Sequence, residues 1–295
     1  MADSVHASLA KAFRVRSDGA RSLYAGARRV ERFLKDGPRR AALRALPPSF
    51  ALSPDAGFLV EPPGRFEESA AVVAHARDAL RRFDASSPPE GKNRKRFLQN
   101  VADATTFGLD TPPMRLALRE DVLAAVSRYL GVVPFLTAIS VFFSDVVEAA
   151  PTSSQLHHCD GDDVTQVKIF VYASEVDARS GPLTVLGAAD SARVRRATGY
   201  QYRQRLTDQQ VNDVVGAGRE QPILGPPGTT IFVDTSRCFH YGSRVAKDAP
   251  PRLVTMIQYQ TPYSFMLPTS AQSSLAFRRL LEPSLTPLQR LVLGE

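Results

Sequence analysis

The order of the predicted elements constrains the fold most, because a helical first third is followed by many short strand-like segments. Up to about residue 131, apolar residues recur at the spacing of amphipathic helices. Six β-branched and aromatic segments then follow, at 135–147, 164–174, 183–186, 229–234, 239–243 and 253–261. Because these strands do not alternate with helices and no glycine-rich phosphate-binding motif occurs, the pattern excludes a Rossmann-type fold.

This order predicts a mainly β protein with helical flanks, an α+β arrangement built on a double-stranded β-helix, the jelly-roll barrel that cupins also use. We expect one domain over 1–295, with a mainly helical collar at 1–131, a jelly-roll core at 132–262 and a C-terminal helical segment at 263–295. A chain of this length buries about three-quarters of its unfolded surface, so it needs no disulfides to fold.

Helices are expected at 5–35, 67–83, 112–130, 207–215 and 274–293, the last broken near Pro283. In the first, Leu9, Phe13, Leu23, Val30 and Phe33 are predicted to share an apolar face, and Asp36-Gly37-Pro38 to end the helix. The predicted caps are Asp110 or Thr111, Gly131 and Thr207. A short strand is expected at 58–60, and an exposed loop at 86–96.

The net charge of +7 is unevenly distributed, since residues 1–100 hold 19 Lys and Arg against 11 Asp and Glu. We interpret this excess as a solvated, arginine-rich helical surface. A basic nucleic-acid-binding protein is the alternative, but zinc-finger spacing and a recognition-helix signature are missing from the sequence. No apolar run reaches the roughly 18 residues of a membrane helix. With no evident signal peptide and only two cysteines, Cys159 and Cys238, we expect a reduced, cytoplasmic protein.

The segment Gln155-Leu156-His157-His158-Cys159-Asp160 contains the most informative chemistry. On an extended backbone, side chains at i and i+2 point the same way, so His158 and Asp160 face together. His240 stands near the start of a later strand. Two imidazoles and one carboxylate form the facial triad that holds ferrous iron with open coordination positions. A plain hydrogen-bonded pair in the core, or His157 as a ligand in place of His158, are the alternatives.

Arg252 opens an apolar strand twelve residues after His240, a costly position unless its guanidinium pairs with a carboxylate. Lys168 shares a strand face with Phe170 and Tyr172 and either meets a carboxylate in the pocket or extends to the rim. Gln155 either reaches the pocket or lies in a loop. Other polar candidates are expected to be structural: Cys159 and Cys238 as packed small residues, Asp162 and Asp163 in a loop, and Asp234 as a hydrogen-bond acceptor.

These motifs resemble the phytanoyl-CoA dioxygenase family of Fe(II)- and 2-oxoglutarate-dependent oxygenases. The similarity covers about residues 134–262. It consists of His158-Cys159-Asp160, His240 and Arg252, together with Gly181-Pro182-Leu183 and the strand Ile231-Phe232-Val233-Asp234 before the distal histidine. One difference is Ser243, which lies three residues after the distal histidine where the family has a serine or threonine two after it.

The resemblance implies a cofactor set of Fe(II), 2-oxoglutarate as co-substrate and O₂. By position, His158, Asp160 and His240 would bind and act through the iron, and Arg252 with Ser243 would bind the distal carboxylate of 2-oxoglutarate. The expected activity is hydroxylation, or another oxidation, of a small organic molecule, with release of succinate and CO₂. The carboxylate of Asp160 argues against a halogenase, in which a small residue stands there.

Two other function classes stay open at this stage: a cupin-like metal protein that isomerises or only binds its ligand, which would not need Arg252, and the nucleic-acid-binding protein. The expected partner is a small-molecule substrate, with no membrane and no nucleic acid involved; nothing in the sequence indicates the oligomeric state. The segment Tyr200 to Pro226 is interpreted either as a lid over the site or as surface decoration.

Overall fold

The computed structural model describes residues 2–83, 97–146, 150–267 and 275–295, and its centre consists of two antiparallel sheets. The larger sheet has the order β1-β7-β4-β9-β3-β2. Its strands are β1 Phe58–Glu61, β2 Gln99–Ala102, β3 Phe135–Ser144, β4 Gln166–Tyr172, β7 Thr230–Val233 and β9 Arg252–Gln260. The smaller sheet has the order β6-β5-β8, with β5 Thr184–Val185, β6 Gln221–Pro222 and β8 His240–Tyr241.

The chain passes repeatedly from one sheet to the other, which is the path of a double-stranded β-helix. After β3 in the larger sheet, His158 pairs with His240 and so extends the edge of the smaller sheet. The chain then returns to the larger sheet as β4, forms β5 and β6 in the smaller, and finishes as β7, β8 and β9 in alternate sheets. Leu183 and Val185 pack against Tyr172 and Val254 of the larger sheet, so the sheets face each other. The predicted jelly roll is confirmed.

Nine α-helices lie in the described ranges. They are α1 Ala2–Arg14, α2 Asp18–Glu31, α3 Gly37–Ala45, α4 Ser69–Arg82, α5 Pro112–Ala117, α6 Glu120–Leu130, α7 Ala188–Thr198, α8 Asp208–Val215 and α9 Pro287–Leu293. Along β4, Val167, Ile169 and Val171 point outward and belong to the main hydrophobic core with residues of α4, α5, α6 and α9. By the strand period of two, Lys168 and Phe170 point to the space between the sheets. None of the helices in the described ranges is long and apolar enough to span a membrane.

Several boundary predictions are wrong. The helix expected at 112–130 is two helices, because Arg119 is extended and held by Glu68 and Asp121. Asp36-Gly37-Pro38 does not end a helical region but opens α3, where Pro38 fits the first turn. The tail expected at 274–293 contains only a 3-10 turn at Arg278–Leu280 and α9, on either side of Pro283. Helix α7 was not predicted, and the predicted loop 86–96 lies outside the described residues.

The single helix expected at 5–35 is also wrong, because the chain forms two helices there, α1 and α2, with a break at 15–17. The other element predictions are confirmed within a few residues. They include β1, helices α4 and α8, the six later strands, and the caps Thr111, Gly131 and Thr207.

The interpretation of the basic N-terminal third as a solvated surface is wrong for four of its arginines. Arg21, Arg28, Arg32 and Arg39 are buried, whereas three residues of the expected apolar face, Leu23, Val30 and Phe33, are 71%, 79% and 60% exposed. Arg32 pairs with the buried Asp36 at 2.8 Å, and Arg39 donates to the carbonyls of Val133 and Pro134. These arginines contribute to packing because their planar heads satisfy several acceptors at once.

Arg21 forms hydrogen bonds that connect the N-terminal helices with the loop after the His-x-Asp motif. Its guanidinium is fully buried and donates to the carbonyl oxygens of Arg14, Gly161 and Asp163. It also stacks on the Tyr202 ring, 3.5 Å from the ring centre. One side chain thus joins α1, the loop after Asp160 and the segment Tyr200 to Pro226.

We predict that Arg21→Met destabilises the protein by about 2–4 kcal/mol, because it leaves buried carbonyl groups without a donor. Arg16→Met, at an exposed position of the same region, is the control and should change the free energy of unfolding by less than about 0.5 kcal/mol. Urea denaturation followed by circular dichroism measures both. Equal stability of the two variants would contradict this role for Arg21.

Candidate metal and co-substrate site

A backbone pairing brings the two histidines of the predicted triad together across 82 residues of sequence. The His158 amide donates to the carbonyl of His240 at 3.1 Å, and the His240 amide donates back at 3.0 Å. In an antiparallel pair, directly opposite residues project to the same face. The two imidazole rings therefore lie side by side, with their centres 4.3 Å apart.

Asp160 completes the cluster because it lies two residues after His158 on an extended segment. Its amide donates to the Thr235 carbonyl at 2.7 Å, which fixes the backbone beside the turn before β8. One carboxylate oxygen, Oδ1, is 3.8 Å from His158 Nε2, and the other, Oδ2, is 3.9 Å from His240 Nε2. One donor atom from each of the three residues lies within 4.8 Å of the others.

Hydrogen bonds determine which nitrogen of each histidine faces the cluster. His158 Nδ1 lies 2.9 Å from the Leu156 carbonyl oxygen, and His240 Nδ1 lies 3.1 Å from that of Cys238. A carbonyl oxygen only accepts, so each Nδ1 carries the proton and donates. The lone pair of each Nε2 is then directed to Asp160, the tautomer that a metal-binding histidine uses.

The electrostatics of the cluster favour neutral imidazoles beside an ionised carboxylate. Burial lowers the pKa of His158, and the neighbouring His240 lowers it further; burial also lowers the pKa of His240. Burial by itself would raise the pKa of Asp160, but the Lys168 ammonium and the two histidines lower it well below the usual range. The cluster therefore presents deprotonated donors at neutral pH, as metal binding requires.

Arg252 lies at the start of β9 and is 6% exposed. One of its terminal nitrogens donates to Ser243 Oγ at 2.8 Å, and Ser243 Oγ is also 2.9 Å from Ser144 Oγ. Its Nε has no hydrogen-bond partner, and no carboxylate in the described ranges forms an ion pair with it. A buried guanidinium without a counter-charge is costly, so this position favours an anionic ligand.

Gly242 and Ser243 shape the space around this guanidinium. A Cβ at Gly242 would lie 3.0 Å and 3.2 Å from the two terminal nitrogens of Arg252, so a side chain here would crowd them. Ser243 adopts a φ of 62°, in the left-handed region, and its amide donates to the Gly181 carbonyl at 3.1 Å. The extra residue after His240 is therefore accommodated in the turn, and Ser243 still reaches Arg252.

One cavity of about 210 Å³ contains both the triad and Arg252. Its polar lining includes Lys168 and Ser243. Its apolar lining consists of Leu98, Phe142, Phe170, Leu183, Val254 and Met256. Along β9, Arg252, Val254 and Met256 alternate toward the cavity, as a strand with one inward face requires.

Three residues whose roles the sequence left open, His157, Gln155 and Lys168, lie in different places relative to the cavity. His157 points away from the cluster, with Nδ1 3.3 Å from Asp208 and Nε2 2.7 Å from Glu220, so it is not placed to replace His158. Gln155 does not line the cavity; its amide donates to the Ser243 carbonyl at 2.8 Å. Lys168 lies in the cavity and donates to Asp160 Oδ2 at 2.8 Å.

The remaining candidates are held in structural contacts. Cys159 and Cys238 are free and buried, and burial raises the pKa of the Cys159 thiol to about 12. Asp162 pairs with Arg14 at 2.6 Å, and Asp163 accepts from the amide and hydroxyl of Thr261. Asp234 accepts from the Tyr129 and Thr165 hydroxyls, as expected of a structural acceptor.

The segment Tyr200 to Pro226 is attached directly beside the cluster. Its Asp208 pairs with both nitrogens of the Arg244 head at 2.8 Å each, and its Glu220 accepts from the Tyr241 hydroxyl at 3.3 Å. Leu206 forms two backbone hydrogen bonds with His157. The segment therefore holds the residue before one predicted ligand and the residue after the other; its action as a lid stays a prediction.

Sequence reasoning missed Gln166, Ser144 and Tyr241. Gln166 Nε2 donates to Asp160 Oδ2 at 3.3 Å and to Thr235 Oγ1 at 2.8 Å. The strand period of two could have found it, because Gln166 lies two residues before Lys168 on β4. Ser144 and Tyr241 are brought to the site by pairing between strands that are distant in the sequence, which no local sequence pattern indicates.

The sequence matches no known family model and no curated protein. Among solved structures, EctD from S. alaskensis with bound Fe is 16% identical, with 70% of this chain and 73% of that chain covered and a TM-score of 0.48. The non-heme alpha ketoglutarate dependent epimerase SnoN from nogalamycin biosynthesis is 19% identical, with 75% and 83% covered and a TM-score of 0.46.

HygX from Streptomyces hygroscopicus, with nickel and 2-oxoglutarate bound, is 18% identical; 72% of this chain and 88% of that chain are covered, with a TM-score of 0.45. These similarities are distant. Membership of the phytanoyl-CoA dioxygenase family therefore stays a prediction, and the function proposed below depends on the geometry of the site.

The two adjacent histidines give a matched pair of variants. We predict that His158→Ala abolishes stoichiometric binding of a divalent metal, because it removes a donor atom of the cluster. His157→Gln should bind the metal nearly as tightly as the unaltered protein, since its side chain faces Asp208 and Glu220. Anaerobic calorimetry with Fe(II) or Mn(II) measures both, and loss of binding in His157→Gln with retention in His158→Ala would reverse the assignment.

Proposed function

We propose that this protein is an Fe(II)- and 2-oxoglutarate-dependent dioxygenase that hydroxylates or otherwise oxidises a small organic substrate. The observation that supports this most strongly is the content of one cavity. It contains two buried, neutral imidazoles and a carboxylate, and it also contains a buried guanidinium without a carboxylate partner. A metal would bind to the triad, and a dianionic co-substrate would bind to both the metal and Arg252.

The donor set fits ferrous iron. His158 Nε2, His240 Nε2 and an oxygen of Asp160 would hold it, and two histidines with one carboxylate and open positions are characteristic of non-heme iron oxygenases. Each Nδ1–H is bound to a backbone carbonyl, which fixes the ring orientation before the metal arrives. Thiolates do not take part, because Cys159 packs with Leu186, Val194 and Phe239 in a separate cluster.

The other end of the cavity fits the distal carboxylate of 2-oxoglutarate. The unpaired Nε and the terminal nitrogens of Arg252 would donate to this carboxylate, and the planar guanidinium matches carboxylate geometry. Ser243 Oγ, held by both Arg252 and Ser144, is placed for a further contact. Gly242 leaves the guanidinium room.

The bound iron would supply the redox chemistry that couples decarboxylation of 2-oxoglutarate, giving succinate and CO₂, to oxidation of the substrate by O₂. The protein's own part is orientation and exclusion of water. Arg252 would fix one end of the co-substrate so that its other end reaches the triad. Phe142, Val254 and Met256 line the same cavity with apolar side chains, which would disfavour water beside a bound co-substrate.

The other function classes are less consistent with the site. A cupin-like isomerase or ligand-binding protein does not require a buried arginine that faces the metal cavity without a carboxylate partner among the described residues. A nucleic-acid-binding protein requires accessible basic side chains, and the burial of Arg21, Arg28, Arg32 and Arg39 reduces the number that the N-terminal third offers.

Succinate formation tests the proposal. The purified protein with Fe(II), ascorbate, O₂ and 2-oxoglutarate should form succinate, and a library of small molecules should contain compounds that increase it. Asp160→Ala and His240→Ala should lose this activity, because each lacks a donor to the metal. Full activity in Asp160→Ala, or succinate formation independent of iron, would contradict the proposal.

Arg252→Ala should mainly raise the 2-oxoglutarate concentration needed for half-maximal succinate formation. The expected increase is roughly 10- to 100-fold, since a charge-assisted hydrogen bond contributes about 1.5–3 kcal/mol. The maximal rate at saturating 2-oxoglutarate should fall much less. An unchanged 2-oxoglutarate requirement would show that the carboxylate binds elsewhere.

A further inference from the structure

We propose that Lys168 is a positioning residue that limits Asp160 to a single bond with the metal and so keeps a coordination position open for the co-substrate. The inference rests on the function proposed above. It also differs from the role that the sequence indicated for Lys168. There the ammonium was expected to contact a carboxylate of the substrate or co-substrate, whereas here it contacts Asp160, a predicted metal-binding residue.

The two oxygens of the Asp160 carboxylate have different surroundings. Oδ2 accepts from Lys168 Nζ at 2.8 Å and from Gln166 Nε2 at 3.3 Å. Oδ1 accepts no hydrogen bond from the described residues and lies 3.8 Å from His158 Nε2. Oδ1 is therefore the oxygen whose lone pairs no described protein donor uses, whereas Oδ2, which lies 3.9 Å from His240 Nε2, already accepts from Lys168 and Gln166.

The donors to Oδ2 are held firmly. Lys168 projects from β4, whose neighbours β7 and β9 pair with it along its length, and its side chain is 16% exposed. The Gln166 amide makes three further hydrogen bonds, to Thr235 Oγ1 at 2.8 Å, from Gln258 at 3.0 Å and from Gln260 at 3.2 Å. Each Asp160 oxygen lies near an Nε2 atom, but a metal bond to Oδ2 would compete with the buried, charge-assisted hydrogen bond that Oδ2 accepts from Lys168.

The number of Asp160 oxygens bound to the metal would determine how many coordination positions are left for other ligands. A carboxylate binds a metal through one or both oxygens. Two imidazoles and one carboxylate oxygen would hold the metal and would leave positions open for a chelating co-substrate and O₂. A second carboxylate oxygen would take one of those positions, so the co-substrate would bind less tightly.

The test uses Lys168→Met, which keeps the apolar stem and removes the donor, and Lys168→Arg, which restores a charged donor. Lys11→Met, an exposed lysine of α1, is the control. For each protein, anaerobic calorimetry measures the affinity for Mn(II) and then the affinity of the Mn(II)-loaded protein for 2-oxoglutarate. Crystal structures of the Mn(II)-loaded forms without 2-oxoglutarate record how many Asp160 oxygens bind the metal.

We expect Lys168→Met to keep its Mn(II) affinity within about tenfold, to bind Mn(II) through both Asp160 oxygens, and to lose about 10- to 100-fold in 2-oxoglutarate affinity. Lys168→Arg should recover much of that affinity, and Lys11→Met should match the unaltered protein. The structure without co-substrate is decisive, because a lysine that only contacted 2-oxoglutarate would not change the metal's bonds to Asp160.

Single-oxygen coordination in Lys168→Met overturns the inference: if 2-oxoglutarate affinity falls nonetheless, Lys168 contacts the co-substrate, and if it does not fall, Lys168 has neither role. These outcomes leave the proposed function intact. Failure of the unaltered protein to bind Mn(II) at all is a different result, which overturns the proposed function and this inference with it.

Discussion

The antiparallel pairing of His158 with His240 is the contact on which the rest of the site depends. Two backbone hydrogen bonds join segments 82 residues apart and place the two imidazoles on one face. This pairing exists because the chain alternates between the two sheets, so that the extended segment at His158, which lies between β3 and β4, becomes a neighbour of β8. Asp160 then follows from strand geometry, two residues after His158.

Charge divides the cavity into two parts with different requirements. At the triad, the negative charge of Asp160 is already balanced by Lys168, which leaves two neutral imidazoles to complete a metal site. At the other end, Arg252 carries a charge that no carboxylate in the described residues balances. The first part offers three donor atoms to a metal without loss of the ion pair between Lys168 and Asp160, and the second part favours an anion. One co-substrate that binds the metal at one end and Arg252 at the other would use both.

The parts of this arrangement that follow local periodicity could be predicted from sequence. The period of two placed His158 and Asp160 together, and the structure places His157 on the other side, against Asp208 and Glu220. The longer strands were predictable because β-branched residues persist over several positions. By contrast, β6 contains only two residues and was not predicted, because it depends on its pairing with β5, which no single segment encodes.

The arginines could not be interpreted from composition. The buried guanidinium of Arg21 donates hydrogen bonds to three backbone carbonyl groups. These groups lie in α1 and in the loop after Asp160, far from Arg21 in the sequence or outside its own helix. A count of basic residues treats Arg21 as surface charge, whereas tertiary contacts make it part of the interior.

The most direct test of the central claim is the dependence of 2-oxoglutarate binding on the metal. In anaerobic calorimetry, 2-oxoglutarate should bind the Fe(II)-loaded protein at least about tenfold more tightly than the metal-free protein, because the two ligands share one cavity and their coupling is reciprocal. Equal affinity with and without Fe(II) would contradict the account, since it would mean that the triad and Arg252 do not serve one co-substrate.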